Sequence, residues 1–155
     1  ILAAKRDIEL FQVTISHTVS LAAHLASEHL NEDNFTNRVV AISYFLTKNL
    51  DMKDEKTLAD IVCAAFFCHL GITQTDHSLC HKPQIEYNEN ELKKHKKHPG
   101  YSHHLLMKSG VQISDRCKNI IFTHHERFDG SGYPNQKHSD FIDILAFVLA
   151  QLHIY

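Results

Sequence analysis

The chain has 155 residues, 43% hydrophobic and 22% charged, with 5 Gly and 3 Pro, a profile that excludes collagen, long disordered tracts and disulfide-dense mini-proteins. Its net charge of -2 with His neutral lacks the basic footprint of a binder of nucleic-acid polymers or anionic membranes and leaves a small phosphorylated ligand open. The excess lies in histidine, 14 against 16 Lys+Arg and 18 Asp+Glu, and imidazole is both a group that titrates near pH 7 and the commonest metal ligand.

Apolar residues recur at helical spacing and no alternating run argues for a sheet, so the expected fold is all-α. A first helix covers about residues 2–30, with Leu10, Val13, His17, Leu21 and Leu25 on one stripe. The polar stretch NEDNFTN breaks it before a second helix near 37–49. Asp51 or Asp54 caps a third, which carries Leu58, Ile61, Val62, Ala65, Phe66 and His69 in the i, i+3, i+4, i+7, i+8, i+11 series of one buried face. That series turns His69 inward. The apolar run 61–70 is about half of the ~20 residues needed to cross a bilayer, so it reads as a buried helix, with no membrane insertion of this segment.

From 71 to 87 the pattern dissolves into a loop containing Pro83. The charged ELKKHKK segment follows. Its Lys93, Lys94, Lys96 and Lys97 read as a solvated helix face, with attraction of phosphates as the other reading. Proline suits the first helical position, which puts His98 at a helix start, and Gly110 ends that helix in a left-handed cap. The next helix repeats the inward series with Cys117, Ile120, Ile121, His124 and Phe128, and His125 lies ~100° further round. FDGSGYPNQ is a turn-rich loop. A final helix buries Phe141, Leu145, Val148, Leu149 and Leu152, with His153 at the edge of that face.

Cys63, Cys68, Cys80 and Cys117 form no CxxC pair, which suits reduced thiols in a cytoplasmic protein. Residues 1–155 are expected to form a single domain. The opening without Met and the stop inside an apolar segment suggest a piece of a longer chain with an upstream sensory or regulatory domain.

A buried imidazole costs free energy unless its nitrogens find partners, and a metal is one such partner. A single inward histidine is more often a hydrogen-bonded core residue. Here His17, His69, His124 and His153 fall on or beside the apolar faces of four different helices, and bundles build metal sites from such facing side chains. His24 shares the face of His17, and His29 is ambiguous. His77, His81, His95, His103, His104 and His138 read as solvated. Adjacent His124 and His125 diverge on a helix, an arrangement awkward for one ion and suited to two side by side.

Residues 124–134, HHERFDGSGYP, resemble the HHExxDGxGYP signature of the HD-GYP family. In chain order, His17 in SHTVSLAAHLA resembles that family's first-helix His, His69 in AAFFCHLG the His of its HD pair, and His98 in KKHPG its HP motif. IDILAFVLAQLH aligns with its last helix, placing His153 where the family has a metal-binding Asp. The resemblance implies an HD-type helical bundle with a metal site between helices. Its ligands would be His17, His69, His98, His124, His125 and His153, holding one or two divalent transition metals, Fe or Mn ahead of Zn. It implies hydrolysis of cyclic di-GMP to pGpG or GMP, with Tyr133 and Gly132 at the substrate. The expected partners are a cyclic di-nucleotide and a diguanylate cyclase or other signalling protein.

Four departures restrict this. Leu70 replaces the HD aspartate that bridges the metals, Val13 stands where three-metal members place a Glu, HLGIT lacks the Lys of HDIGK, and the family's substrate-binding Arg and Lys would fall after Tyr155; His153 for Asp is milder, since imidazole still coordinates. Two readings follow: a metal-dependent phosphodiesterase, toward which the residues lean, and a catalytically degenerate module that binds nucleotide or a partner protein. A di-iron oxygenase is a third and would need a carboxylate the sequence does not offer. No residue is singled out as catalytic.

Overall fold

The computed structural model describes residues 35–52, 54–76, 78–79, 82–138 and 142–152. The expected first helix with Val13 and His17 lies outside these residues, as do His24, His29, His77, His81, Phe141 and His153. The elements are α1 Phe35–Asn49, α2 Glu55–Phe67, α3 Glu89–His95, α4 His98–Ser109, α5 Asp115–Thr123 and α6 Ile144–Gln151. Two 3-10 turns, Leu70–Gln74 and Gln84–Glu86, interrupt the segment expected to be loop. Among the described residues the sole extended pairing is an isolated bridge between Asp129 and His138, and the fold is all-α as expected.

Local chemistry sets most of the helix ends. Asp54, not Asp51, caps α2, its carboxylate accepting from Thr57 N at 2.9 Å, whereas Asp51 stands at φ 60. Asn88 and Glu91 form a reciprocal capping box on α3. Pro99 lies in the first turn of α4 and Gly110 ends it at φ 72, where a residue with a Cβ is strained. Ser114 caps α5 by accepting from Cys117 N, and Asp143 caps α6 by accepting from Leu145 N.

These caps also tie the helices together. The Ser114 hydroxyl donates to the buried Asp60 carboxylate of α2. Arg116 of α5 donates from Nε and Nη2 to both oxygens of Asp143, at 2.8 and 3.2 Å, and from Nη1 to Thr57 at 3.0 Å. One guanidinium thus pins the starts of α2 and α6 to α5. Its fork matches a carboxylate in a way a lysine could not.

The core fills the space these ties define. Ile61, Ala64 and Ala65 of α2, Ile120 and Ile121 of α5, and Leu145, Ala146 and Leu149 of α6 are buried. By length and composition alone the 20-residue stretch Glu55–Gln74, mean hydropathy 1.4, could cross a bilayer. Of its 18-residue apolar window, 56% is buried within the fold, where α2 packs in the core. On α1 Thr36, Val39, Ser43 and Thr47 face inward while Ile42 and Phe45 are exposed, as is Leu50 just beyond the helix.

α5 is shorter than its apolar series suggests. It closes at Thr123, where Glu126 N donates to the Thr123 carbonyl at 2.8 Å and the His124 ring donates back to the Ile121 carbonyl at 2.7 Å. Phe128, expected on the buried face, therefore lies beyond the helix and is 44% exposed.

Among the glycines, Gly71 meets the closest neighbouring backbone. A Cβ there would overlap the His98 carbonyl oxygen and the Ser102 amide nitrogen of α4. Gly71 N donates to Ser102 Oγ, which donates to the Cys68 carbonyl, both at 2.7 Å. Gly71→Ala is expected to destabilise the domain by about 3 kcal/mol, because backbone rather than a flexible side chain must move. Gly100→Ala, whose Cβ would meet only Phe122 at 3.9 Å, is expected to be neutral or to stabilise by up to about 1 kcal/mol. Urea titrations of the two variants check the contrast.

Candidate metal centre

Four histidines converge. His69 sits in the turn after α2, His98 opens α4, and His124 and His125 follow the end of α5. One ring nitrogen from each lies within 4.8 Å of the others. His98 and His124 are fully buried, and His69 is 7% exposed. All four stand at helix ends, so the expectation that His69 and His124 ride on helix faces is corrected in detail though not in direction. Because α5 stops at Thr123, the rings of His124 and His125 lie 4.2 Å apart instead of diverging. Two neighbours in sequence can thus serve one ion.

The tautomers follow from the backbone. His98 Nδ1 meets the His95 carbonyl at 2.8 Å and His124 Nδ1 meets the Ile121 carbonyl at 2.7 Å. A carbonyl only accepts, so both Nδ1 atoms carry the proton and both Nε2 atoms present lone pairs. Those two Nε2 atoms face one another at 3.3 Å. A tetrahedral ion at about 2.0–2.1 Å from each imidazole would separate its ligands by about 3.3 Å, so the donor set fits a divalent metal ion. Burial holds the His124 imidazole down to about 4, which keeps it an unprotonated ligand at neutral pH. Donation of the second ring nitrogen to a carbonyl is the outer-shell arrangement that orients metal-binding histidines.

Other parts of the fold hold this geometry. His69 Nδ1 lies 3.3 Å from Cys68 Sγ, and the Gly71 contact draws its turn against α4. Leu70 packs on the hydrophobic core, and among the described residues no carboxylate joins the four-histidine group.

The FDGSGYP loop folds back on the histidine pair. Tyr133 stacks on His125, with ring centroids 4.6 Å apart and planes 17° apart, and its backbone N donates to the His125 carbonyl at 3.1 Å. Gly132 packs so closely that a Cβ would overlap the backbone of His125, Glu126 and Arg127. Glu126, 1% exposed, accepts from Asn135 N at 2.7 Å and Lys137 N at 2.9 Å. This buried staple was not singled out in the sequence, although it is the third letter of HHE. Burial pushes ionisation of the Tyr133 phenol still further from neutral pH.

A cleft of about 840 Å³ opens beside the centre, lined by His125, Arg127, Phe128, Tyr133 and Lys96 among others. Lys96 Nζ stands 5.4 Å from the Tyr133 ring centre. Lys93, Lys94, Lys96 and Lys97 are exposed, as expected of a solvated face, and Lys93, Lys96 and Lys97 border a further groove of about 510 Å³ that shares Tyr133. Lys94 pairs with Asp76 at 3.0 Å. Two histidines read as solvated are half-buried: His95, whose ring lies 4.9 Å from that of His98, and His103, which packs on Phe122. His104 and His138 are exposed as expected. His17 and His153 lie outside the described residues.

A family model described as HD domain matches residues 18–155. The 3'3'-cGAMP-specific phosphodiesterase 2 of Vibrio cholerae is 33% identical over 98 residues, 63% of this chain and 19% of that protein. The cyclic di-GMP phosphodiesterase response regulator RpfG of Xanthomonas campestris is 27% identical over 121 residues, 78% of this chain and 32% of that protein. The chain thus spans a third or less of the length of these relatives.

Metal analysis of His69→Ala and His124→Ala is expected to show metal content reduced to a small fraction of that of the unaltered protein; unchanged content would return both to core packing. The metal-free domain is expected to lose stability as the pH falls from about 6.5 to about 4. Across that window the unfolded His124 gains a proton that the folded one refuses, and below it both forms are protonated and the loss levels off. Urea titration against pH checks this, and His124→Gln should flatten the profile.

Proposed function

Because the chain belongs to the HD-domain family, we propose that it holds a divalent metal through His69, His98, His124 and His125 and hydrolyses cyclic di-GMP to pGpG or GMP in the adjoining cleft. The observation that carries the reading is shared lining: His125 and Tyr133 belong both to the histidine centre and to the cleft. The volume of about 840 Å³ falls in the range of ligand sites, roughly 300–1,000 Å³. His17 and His153 are proposed as further ligands from their sequence positions, with one or two ions in all, Fe or Mn ahead of Zn.

A bound divalent ion supplies Lewis acidity to a phosphodiester. The chain's own residues supply the rest. Lys96 and Arg127 offer two cationic side chains to a doubly anionic ligand in a cleft that the acidic residues Glu126 and Asp129 also line. The Tyr133 phenol, whose ionisation burial pushes still further from neutral pH, is a hydrogen-bond donor for a phosphate oxygen or a base. Gly132 lets the loop approach the His125 backbone and so fixes the height of Tyr133 above the site. The described cysteines Cys63, Cys68 and Cys117 are free thiols, which suits the proposed cytoplasmic setting. A diguanylate cyclase or another signalling protein is the proposed protein partner.

Leu70 favours a second reading, a module that binds the nucleotide without turning it over. Neutral imidazoles without a bridging carboxylate offset less of the ions' charge and hold their spacing less firmly. Incubating the Fe-, Mn- or Zn-loaded chain with cyclic di-GMP, and with 3'3'-cGAMP in parallel, is expected to yield linear or mononucleotide products. Leu70→Asp is expected to raise turnover at least about tenfold, the equivalent of ~1.4 kcal/mol at the transition state. Preserved nucleotide binding without turnover under all three metals would leave the second reading in place.

A further inference from the structure

The turn after the histidine pair carries a ring that the metal chemistry does not use. The Arg127 carbonyl accepts from Gly130 N at 2.9 Å, with Gly130 at φ 76, so Phe128 and Asp129 occupy the centre of a tight turn. Asp129 Oδ1 accepts from Ser131 N at 2.9 Å and from Ser131 Oγ at 2.6 Å, and Asp129 bridges to His138. This backbone is pinned. Turn centres favour Gly, Pro, Asn, Asp and Ser, yet this one carries Phe128, a residue 44% exposed. The ring rests on Phe147 of α6, with centroids 4.5 Å apart and planes at 53°. It lines the same cleft as His125, Lys96 and Arg127.

We infer that Phe128 is a stacking platform for one base of the bound cyclic dinucleotide, held while the phosphates lie among Lys96, Arg127 and the histidine centre. The inference rests on the proposed function and adds a residue that sets base affinity. A rigid, supported ring beside cations suits a flat base joined to a phosphate, because a pinned platform loses little entropy on binding. Stacking on an aromatic side chain is sequence-tolerant, since every base has a π-face. Phe128 therefore secures the ligand without choosing between guanine and adenine.

The chain contains no Trp, so Phe128→Trp adds a single indole at the platform. Titrating that metal-loaded variant with cyclic di-GMP is expected to quench its fluorescence saturably, with an affinity matching that of the unaltered chain by calorimetry. Phe128→Leu keeps apolar packing on Phe147 and removes the π-face. Its affinity is expected to fall on the order of 5- to 100-fold at unchanged metal content and thermal midpoint. Normal affinity in Phe128→Leu, or an indole blind to ligand that calorimetry shows to be bound, overturns this inference alone. Failure of the unaltered chain to bind any cyclic dinucleotide overturns the proposed function and this inference together.

Discussion

Two hydrogen bonds from histidine rings to backbone carbonyls organise the centre of this domain. His98 Nδ1 meets the His95 carbonyl and His124 Nδ1 meets that of Ile121, and each bond decides which ring nitrogen is left with a lone pair. Neither carbonyl is available to a long regular helix. The His95 carbonyl lies at the end of α3 and the Ile121 carbonyl in the last turn of α5, where carbonyls lose their intrahelical partners. The ends of helices are therefore what the site is made of. The same unsatisfied groups that make helix termini costly are used here to orient imidazoles.

The apolar core explains why this arrangement persists. Burial of Ile61, Ile120, Ile121 and Leu145 fixes α2, α5 and α6 relative to one another, and the Arg116, Asp143 and Thr57 network locks their starts. The histidine centre lies at the opposite ends of α2 and α5, where the chain is free to turn. Close backbone contact at Gly71 and Gly132 then brings two turns against this frame. Ser102 Oγ and the Glu126 carboxylate tie those turns in place.

Much of this was legible where the cause is local. Proline in the first turn of α4 and glycine at its end act through their own φ angles, and the inward placement of His69 follows from a period that the core helix keeps to its end. The periodicity failed at α5, where the apolar series runs on to Phe128 while the helix does not. Its early stop depends on a side chain turning back to its own last carbonyls, which an apolar pattern does not encode. His98 falls on no apolar stripe and became a candidate only through the resemblance of KKHPG. The burial of His95 and His103 and the staple at Glu126 are tertiary facts, set by α3 against α4, α4 against α5 and the loop against its turn.

The stack of Tyr133 on His125 places one ring pair between the four-histidine group and the cleft. A ligand that presses on Tyr133 from the cleft acts through the same ring pair that an ion fixes from the other side. Energetic linkage of this kind is reciprocal: if metal tightens the hold on nucleotide, nucleotide tightens the hold on metal by the same factor. Under the proposed function, such a linkage would make nucleotide affinity depend on how fully the four-histidine group is loaded with metal.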